Sequence, residues 1–318
     1  MIHHRMHYYF RTRKESGKRG GALWKKVIHD VFSEIVGSLF ELFCRLHICK
    51  PYVMVRMDGG ICSQMNQYLL GQIFAQQGEQ VCYDLTWFVK YGMDVDRRFV
   101  RTFELEEMFP DIHIESSGRF RTWFYHTFLS HASVDQRLPE YDKGIAPVYL
   151  DGYYSNIEDS VFAKQFDFLF CAAKKAYIPC TLNRGNSDQH TCAIHVRRGD
   201  LARGDNPYYG GVTDEYFFRA IAYVEHLFPK TKFFFFSDEI EYVKENLAPR
   251  LDVDFELITE LHKAYEDLLL ISECDTIVAS QGSFGKFAAM LNKDSMLVLQ
   301  DDEYAKPWVA RKQNSVVL

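Results

Sequence analysis

Several things are scarce in this chain of 318 residues. No run approaches the ~18–20 consecutive apolar residues of a membrane-spanning helix, which excludes a helical membrane bundle. The eight cysteines, at 44, 49, 62, 82, 171, 180, 192 and 274, include no C-x-x-C pair. Zinc-site and disulfide-stapled readings therefore fail, and free thiols in a reducing compartment are expected. Neither a G-x-S-x-G elbow nor a G-x-x-x-x-G-K-[ST] phosphate loop occurs. The opening residues lack an apolar core and a small-residue cleavage site, so a cytoplasmic location, at most peripheral to a membrane, is expected. An excess of positive charge is also missing: 37 Lys and Arg face 43 Asp and Glu, net −6. A whole-surface binder of nucleic acid is not expected, and any phosphate site must be a local basic cluster.

What is present suits a large folded protein. Hydrophobic residues make up 47% and charged residues 25%, a globular balance, and aromatics reach 15% with 26 Phe and 19 Tyr. Basic charge gathers at the front: Arg5, Arg11, Arg13, Lys14, Lys18, Arg19, Lys25 and Lys26 stand against one acid, Glu15. Residues 1–22 read as a basic arm and 23–48 as an amphipathic helix. Ile28, Val31, Phe32, Ile35, Leu39, Leu42, Phe43 and Leu46 recur at three- and four-residue steps. Such a helix packs on the domain, makes an oligomer contact, or lies on an anionic membrane surface; residues 23–48 are the segment for membrane contact or self-association.

From Pro51 the pattern changes. Strands are expected at 52–57 and 80–85, with a helix at 64–77 between them. A strand at 149–154 and a helix at 161–175 follow, then a polar linker at 183–189. Beyond it the alternation is regular. Strands at 191–196, 232–236, 253–257, 276–279 and 296–299 interleave with helices at 214–227 (opened by a Thr213 cap), 239–247, 262–272 and 284–291. The run Phe233–Phe236 is apolar enough to be covered on both faces, as in a parallel sheet. The fold class is α/β. The units are an arm and helix at 1–50, a first Rossmann-like domain at 51–185 and a second at 186–318.

The sharpest chemical signal is His195-Val196-Arg197-Arg198-Gly199-Asp200, starting at the carboxyl end of an expected strand. Paired guanidinium groups there suit a diphosphate, held by forked charge-assisted hydrogen bonds. They also suit the stabilisation of charge on a departing nucleoside diphosphate. The plainer reading is a surface Arg–Asp pair. Ser237-Asp238-Glu239 follows the next strand and reads as a helix cap with room for a nucleoside contact. Ser280-Gln281-Gly282-Ser283-Phe284-Gly285 is a strand-to-helix loop of small residues that admits an anion. Asp267 is either an exposed helix acid or an acceptor for guanine N–H groups. Asp58-Gly59-Gly60, leading to Gln64, is a second glycine turn between strand and helix. The acidic pairs Asp94–Asp96 and Asp252–Asp254 are chance patterns, and no metal site is expected.

In order along the chain, these stretches resemble the α-1,2-fucosyltransferase family. His195 to Asp200 resembles its H-x-R-R-x-D motif, and Phe236-Ser237-Asp238-Glu239 its F-S-D-D segment. Asp267-Leu268 through Ser272, then Ser283-Phe284 and Ala288-Ala289, resembles D-L-x-L-M-S…S-F-S-W-W-A-A. Gly59-Gly60…Gln64-Met65 is similar to G-G-L-G-N-Q-M. Ile61-Cys62-Ser63 and Gly285-Lys286-Phe287 depart from those patterns. The resemblance implies a GT-B-like pair of Rossmann-like domains facing across a cleft. It also implies inverting transfer of L-fucose from GDP-fucose to the 2-hydroxyl of a galactose-terminated glycan, with no metal and no other cofactor. Arg197, Arg198 and Asp200 would be catalytic. His195 and Asp267 would take the guanosine, Ser283 and Phe284 with Gly282 would line the phosphate loop, and Gly59, Gly60 and Gln64 would face the acceptor. Asp200, then Asp205 and Asp58, are candidates for the general base. The H-x-R-R-x-D pattern is shared with α-1,6- and protein O-fucosyltransferases, which are the rival linkages. A catalytically silent nucleotide-binding or scaffold protein is the rival of another class.

Overall fold

Short apolar runs become strands wherever a helix can cover each face, and the chain does this twice. The computed structural model describes residues 20–90, 92, 100–132, 147–152, 157–179, 181–184, 188–199, 213–260 and 262–318. After helix α1 (Gly20–Arg45) come β1 (Val53–Arg56), α2 (Ile61–Gln76), β2 (Val81–Asp84), α3 (Arg119–Phe128), β3 (Ser130–Ala132) and β4 (Val148–Asp151). These strands form one parallel sheet in the order β2-β1-β4-β3. Helix α4 (Asp159–Phe166) closes the first half, before the expected linker, and the second half runs β5 (Thr191–Val196), α5 (Asp214–Leu227), β6 (Lys232–Ser237), α6 (Ile240–Tyr242), β7 (Phe255–Leu257), α7 (Ala264–Ser272), β8 (Thr276–Ala279), α8 (Phe284–Leu291), β9 (Met296–Leu299), α9 (Lys306–Arg311) and β10 (Ser315–Val317). Its six strands are parallel in the order β10-β9-β8-β5-β6-β7. Two parallel α/β halves are the GT-B-like class that the resemblance implied.

Side-chain alternation explains why the central strands read as unbroken apolar runs. Cys192, Ile194, Val196, Phe233 and Phe235 point into a core shared with Tyr216, Phe217 and Val224 of α5. Ala193, Phe234 and Phe236 point the other way, into a core shared with Leu268 and Ile271 of α7 and Ala288 of α8. Period-two alternation thus feeds two apolar layers, and each buried Phe contributes about 1.5–3 kcal/mol.

Several boundaries differ from expectation. Helix α2 begins at Ile61 rather than at 64, because extended Gly60 (φ −80°, ψ 178°) already serves as its N-cap. The expected 161–175 helix is α4, which widens into a looser turn over Asp167–Cys171 and ends there. The expected 239–247 helix is α6 followed by a similar turn at Val243–Leu247. Thr213 stands at the N-cap of α5, but its hydroxyl makes no capping bond. Helix α3 and strands β3 and β10 have no counterpart in the sequence reading.

The halves share one apolar core rather than meeting only across an open cleft. Phe287 of α8 lies 5.3 Å from Phe166 and 6.0 Å from Phe162 of α4, and 5.6 Å from Trp308 of α9. Arg311 Nε donates to Asp159 Oδ1 at 2.7 Å, and the Tyr265 amide donates to Glu104 Oε2 at 3.2 Å.

Helix α1 docks on α3 through a narrow line. A Cβ on Gly37 would stand 2.7 Å from the Phe128 carbonyl oxygen, so only glycine allows the approach. The Phe40 ring is 4.9 Å from Phe124, and Cys44 is buried. The apolar stripe of α1 is exposed, so of the three expected settings packing on the domain does not account for it.

Candidate active site

In the second sheet β6 and β7 extend from one side of β5, while β8, β9 and β10 extend from the other. The order therefore reverses between β5 and β8, and the loops after these two strands diverge at the carboxyl edge. Open α/β sheets place their ligands in that crevice. His195 ends β5 there with Val196, Arg197 to Gly199 leave the strand, and Ser280 to Ser283 leave β8.

One hydroxyl ties the two loops together. Ser280 Oγ accepts the Arg197 amide at 2.9 Å and sits 3.3 Å from His195 Nδ1, while the Ser280 amide donates to the His195 carbonyl at 3.2 Å. The His195 ring stacks on Phe284, with centroids 5.1 Å apart. Burial, with Arg197 and Lys286 nearby, lowers the imidazole to about 3 and keeps it neutral. Gly285 permits this packing, since a Cβ there would lie 3.1 Å from Ala279 Cβ and 3.3 Å from His195 Cβ. Gly282 has φ +86°, a conformation that favours glycine, and its open side meets no atom within 4 Å.

The two arginines are held from behind by the loop after β6. Arg197 Nη1 pairs with Asp238 Oδ2, while Asp238 Oδ1 accepts the Arg198 amide at 2.9 Å. Burial raises the Asp238 carboxyl, and Arg197 opposes that shift. The Arg198 guanidinium lies 3.3 Å from the centroid of the Tyr242 ring. Its Nε has no hydrogen-bond acceptor, with Glu239 Oε2 at 3.5 Å. Both guanidinium side chains keep about a quarter of their surface open, 24% and 28%. Gly199 (φ +27°) is required, because a Cβ there would stand 2.5 Å from Asp238 Oδ2. Ser237 stitches the loops: its hydroxyl donates to the Val196 carbonyl at 2.8 Å and accepts the Glu239 amide at 3.0 Å. Ser237 and Asp238 thus position the arginines, a role beyond the cap expected of them.

Asp267 lies in the first turn of α7, at the same carboxyl edge. It is half-buried rather than an exposed helix acid, and it accepts from His262 Nδ1 at 2.8 Å; burial raises its carboxyl. Ser283 opens α8 beside the Cys62 thiol, which burial pushes up to about 12. That contact brings the first half's glycine turn to the second half's anion loop. Arg101 sits beside both, its Nη1 3.8 Å from the Cβ position of Gly60, and acts on the Cys62 thiol electrostatically. Sequence reasoning missed Arg101, which ends a stretch that reads only as a charged loop. It also missed Tyr242 and Lys286; burial lowers Lys286 to about 8.

Two candidates have other work. Gln64 is fully buried: its Nε2 donates to the carbonyls of Gly59 (3.2 Å) and Thr102 (2.9 Å), and its Oε1 accepts the amides of Glu104 (2.9 Å) and Leu105 (3.2 Å). It shapes the Gly59-Gly60 turn (Gly59 φ +74°) and cannot face an acceptor. Asp58 accepts from Gln67 Nε2 at 2.8 Å and lies 3.6 Å from Arg56 Nε, the setting of a structural carboxylate. Asp200 and Asp205 lie outside the described residues, as do Asp94 and Asp96. Asp254 is paired with Lys232 at 3.2 Å. Among the described residues no cluster of three His, Cys, Asp or Glu side chains could hold a metal ion.

The sequence profile of glycosyltransferase family 11 matches residues 110–317, more than half of the chain. The chain belongs to glycosyltransferase family 11. It is a glycosyltransferase, and the family is the one that the motif order pointed to. An α-1,2-colitosyltransferase from Escherichia coli is 24% identical over 290 residues, covering 82% of this chain and 93% of that protein. Among solved structures, a NodZ α-1,6-fucosyltransferase soaked with GDP-fucose aligns at TM-score 0.46 and 13% identity over 76% of this chain and 93% of its own. An Arabidopsis thaliana FUT1 mutant in complex with GDP aligns at TM-score 0.46 and 11% identity, covering 80% and 72%. The family 11 assignment rests on the profile and the site on its own geometry.

Proposed function

We propose that this family 11 enzyme transfers L-fucose from GDP-fucose to the 2-hydroxyl of a galactose-terminated glycan, with inversion. The observation that carries the reading is the pair Arg197–Arg198, held by Asp238 and Tyr242 at the crevice between β5 and β8. As the acceptor oxygen attacks the anomeric carbon, the bond to the β-phosphate oxygen breaks and negative charge grows on the diphosphate. Fixed guanidinium groups stabilise that charge more in the transition state than in the ground state. In this reading they take the role that a metal ion has in other transferases. His195 and Asp267 face the guanosine, Gly282 to Phe284 take the phosphates, and the Gly59-Gly60 turn borders the acceptor. Asp200, directly after Gly199, is the proposed general base. The setting is the cytoplasm, where sugar nucleotides are held.

The test is release of GDP from GDP-fucose with lactose as acceptor. Turnover with a 2-linked product, reduced about 10²–10³-fold by Arg197→Ala, supports the reading. Tighter calorimetric binding of UDP than of GDP would overturn the donor assignment. A second reading, transfer of colitose in the same linkage, is favoured by the E. coli relative. Competition between the two activated sugars decides between them.

A further inference from the structure

Seven large apolar side chains on α1 and Leu46 just past its end are at least two-fifths exposed: Ile28 (65%), Val31, Phe32, Ile35, Leu39, Leu42, Phe43 and Leu46 (59%). At about 100° per residue they all fall within one arc of ~120°, centred on Ile28 and Leu46. No charged residue from Ile28 onward lies in that arc. Gly37, Phe40 and Cys44, which hold α1 to α3, lie on the opposite side of the helix. Asp30, Glu34 and Glu41 sit on a flank between the two. The helix is therefore anchored by its back and turns its apolar face outward.

That face continues beyond the helix. Phe32 is 6.3 Å from Phe128, Phe128 is 5.7 Å from Trp123, and Trp123 is 5.8 Å from Phe120. Trp123 and Phe120 are 54% and 76% exposed. A Trp with one apolar and one polar edge suits a boundary between hydrocarbon and water. Arg119, Arg121 and Lys50 are exposed nearby.

We propose that α1 and the α3 aromatics lie on an anionic lipid surface, with the apolar arc buried among acyl chains. Charge selects lipid over a second copy of the chain. Residues 1–26, which lead into the arc, carry eight Lys and Arg against one acid. Two such segments repel each other across a dimer interface, whereas anionic headgroups attract them.

The experiment is co-sedimentation of the full chain with phosphatidylcholine vesicles, with and without phosphatidylglycerol. Binding is expected only with the anionic lipid, and is expected to weaken as salt rises from about 0.1 to about 0.5 M. Leu39→Asp and Leu42→Asp should each weaken it about tenfold or more, with thermal unfolding and GDP binding unchanged. Lys25→Glu with Lys26→Glu should weaken binding while leaving all eight apolar side chains in place. Equal binding by the Asp variants, or no binding to anionic vesicles, overturns the proposal. So does a concentration-dependent dimer that Leu39→Asp dissolves in the absence of vesicle binding.

Discussion

After β1 the chain turns through Gly59 and Gly60 into α2; after β5 it turns through Gly199, beside the Gly282 turn that follows β8. At the first turn the polar side chains close on their own backbone. Gln64 engages four main-chain groups, and Asp58 is held by Gln67 and Arg56. At the second the order is inverted. Asp238, Ser237 and Ser280 bind the backbone of the arginine loop, and the two guanidinium groups remain part-exposed at the edge. One parallel strand–loop–helix unit thus serves two ends. A turn whose side chains fold inward gives a shaped wall; a turn braced from outside gives a charged, preorganised clamp.

The contrast breaks most sharply at Arg197. Arg197→Ala is expected to lower kcat about 10²–10³-fold with little change in melting temperature, measured by GDP release and by thermal unfolding. Gln64→Leu is expected to do the reverse. It leaves buried amides and carbonyls unpaired and should remove about 3 kcal/mol of stability in urea unfolding. The protein that remains folded should bind GDP as tightly as before.

A third test uses pH. The His195 imidazole is lowered from 6.5 to about 3, so below 6.5 the unfolded chain binds the proton that the native chain refuses. Stability is therefore full above pH 6.5 and is lost as pH falls toward 3. The loss by about pH 4.5 is on the order of 2–3 kcal/mol. His195→Gln should flatten that part of the urea midpoint against pH; an unchanged slope would count against a neutral His195. The smallest effect is at Tyr242. Removing the ring under Arg198 by Tyr242→Leu should weaken GDP binding about fivefold, about 1 kcal/mol, readable by calorimetry.

The two halves also differ in how far they can be read from sequence. Strands β5, β8 and β9 and helices α5 and α8 fall at the expected residues, because doubly covered strands and one-sided helices leave opposite periodicities. Helix α3 does carry a stripe, Phe120, Trp123, Phe124 and Phe128 at three- and four-residue steps, but it has only ten residues, and Phe120 and Trp123 face outward while Thr122 and Tyr125 face in. Strands β3 and β10 have three residues each, too few to alternate. In the site, the paired arginines are legible from their own motif. Arg101 is not, since its approach to Gly60 and Cys62 depends on a loop fold that no local pattern encodes. The stripe on α1 is legible as a stripe, while its outward direction is set by Gly37 and Phe40 on the other face.

The aromatic cluster of Phe162, Phe166, Phe287 and Trp308 draws on segments from both sides of the expected linker. Cutting the chain near residue 185 would strip each fragment of its partner and leave large rings in water. Neither fragment should then fold alone, and calorimetry of the intact protein should show a single endotherm instead of one for each sheet.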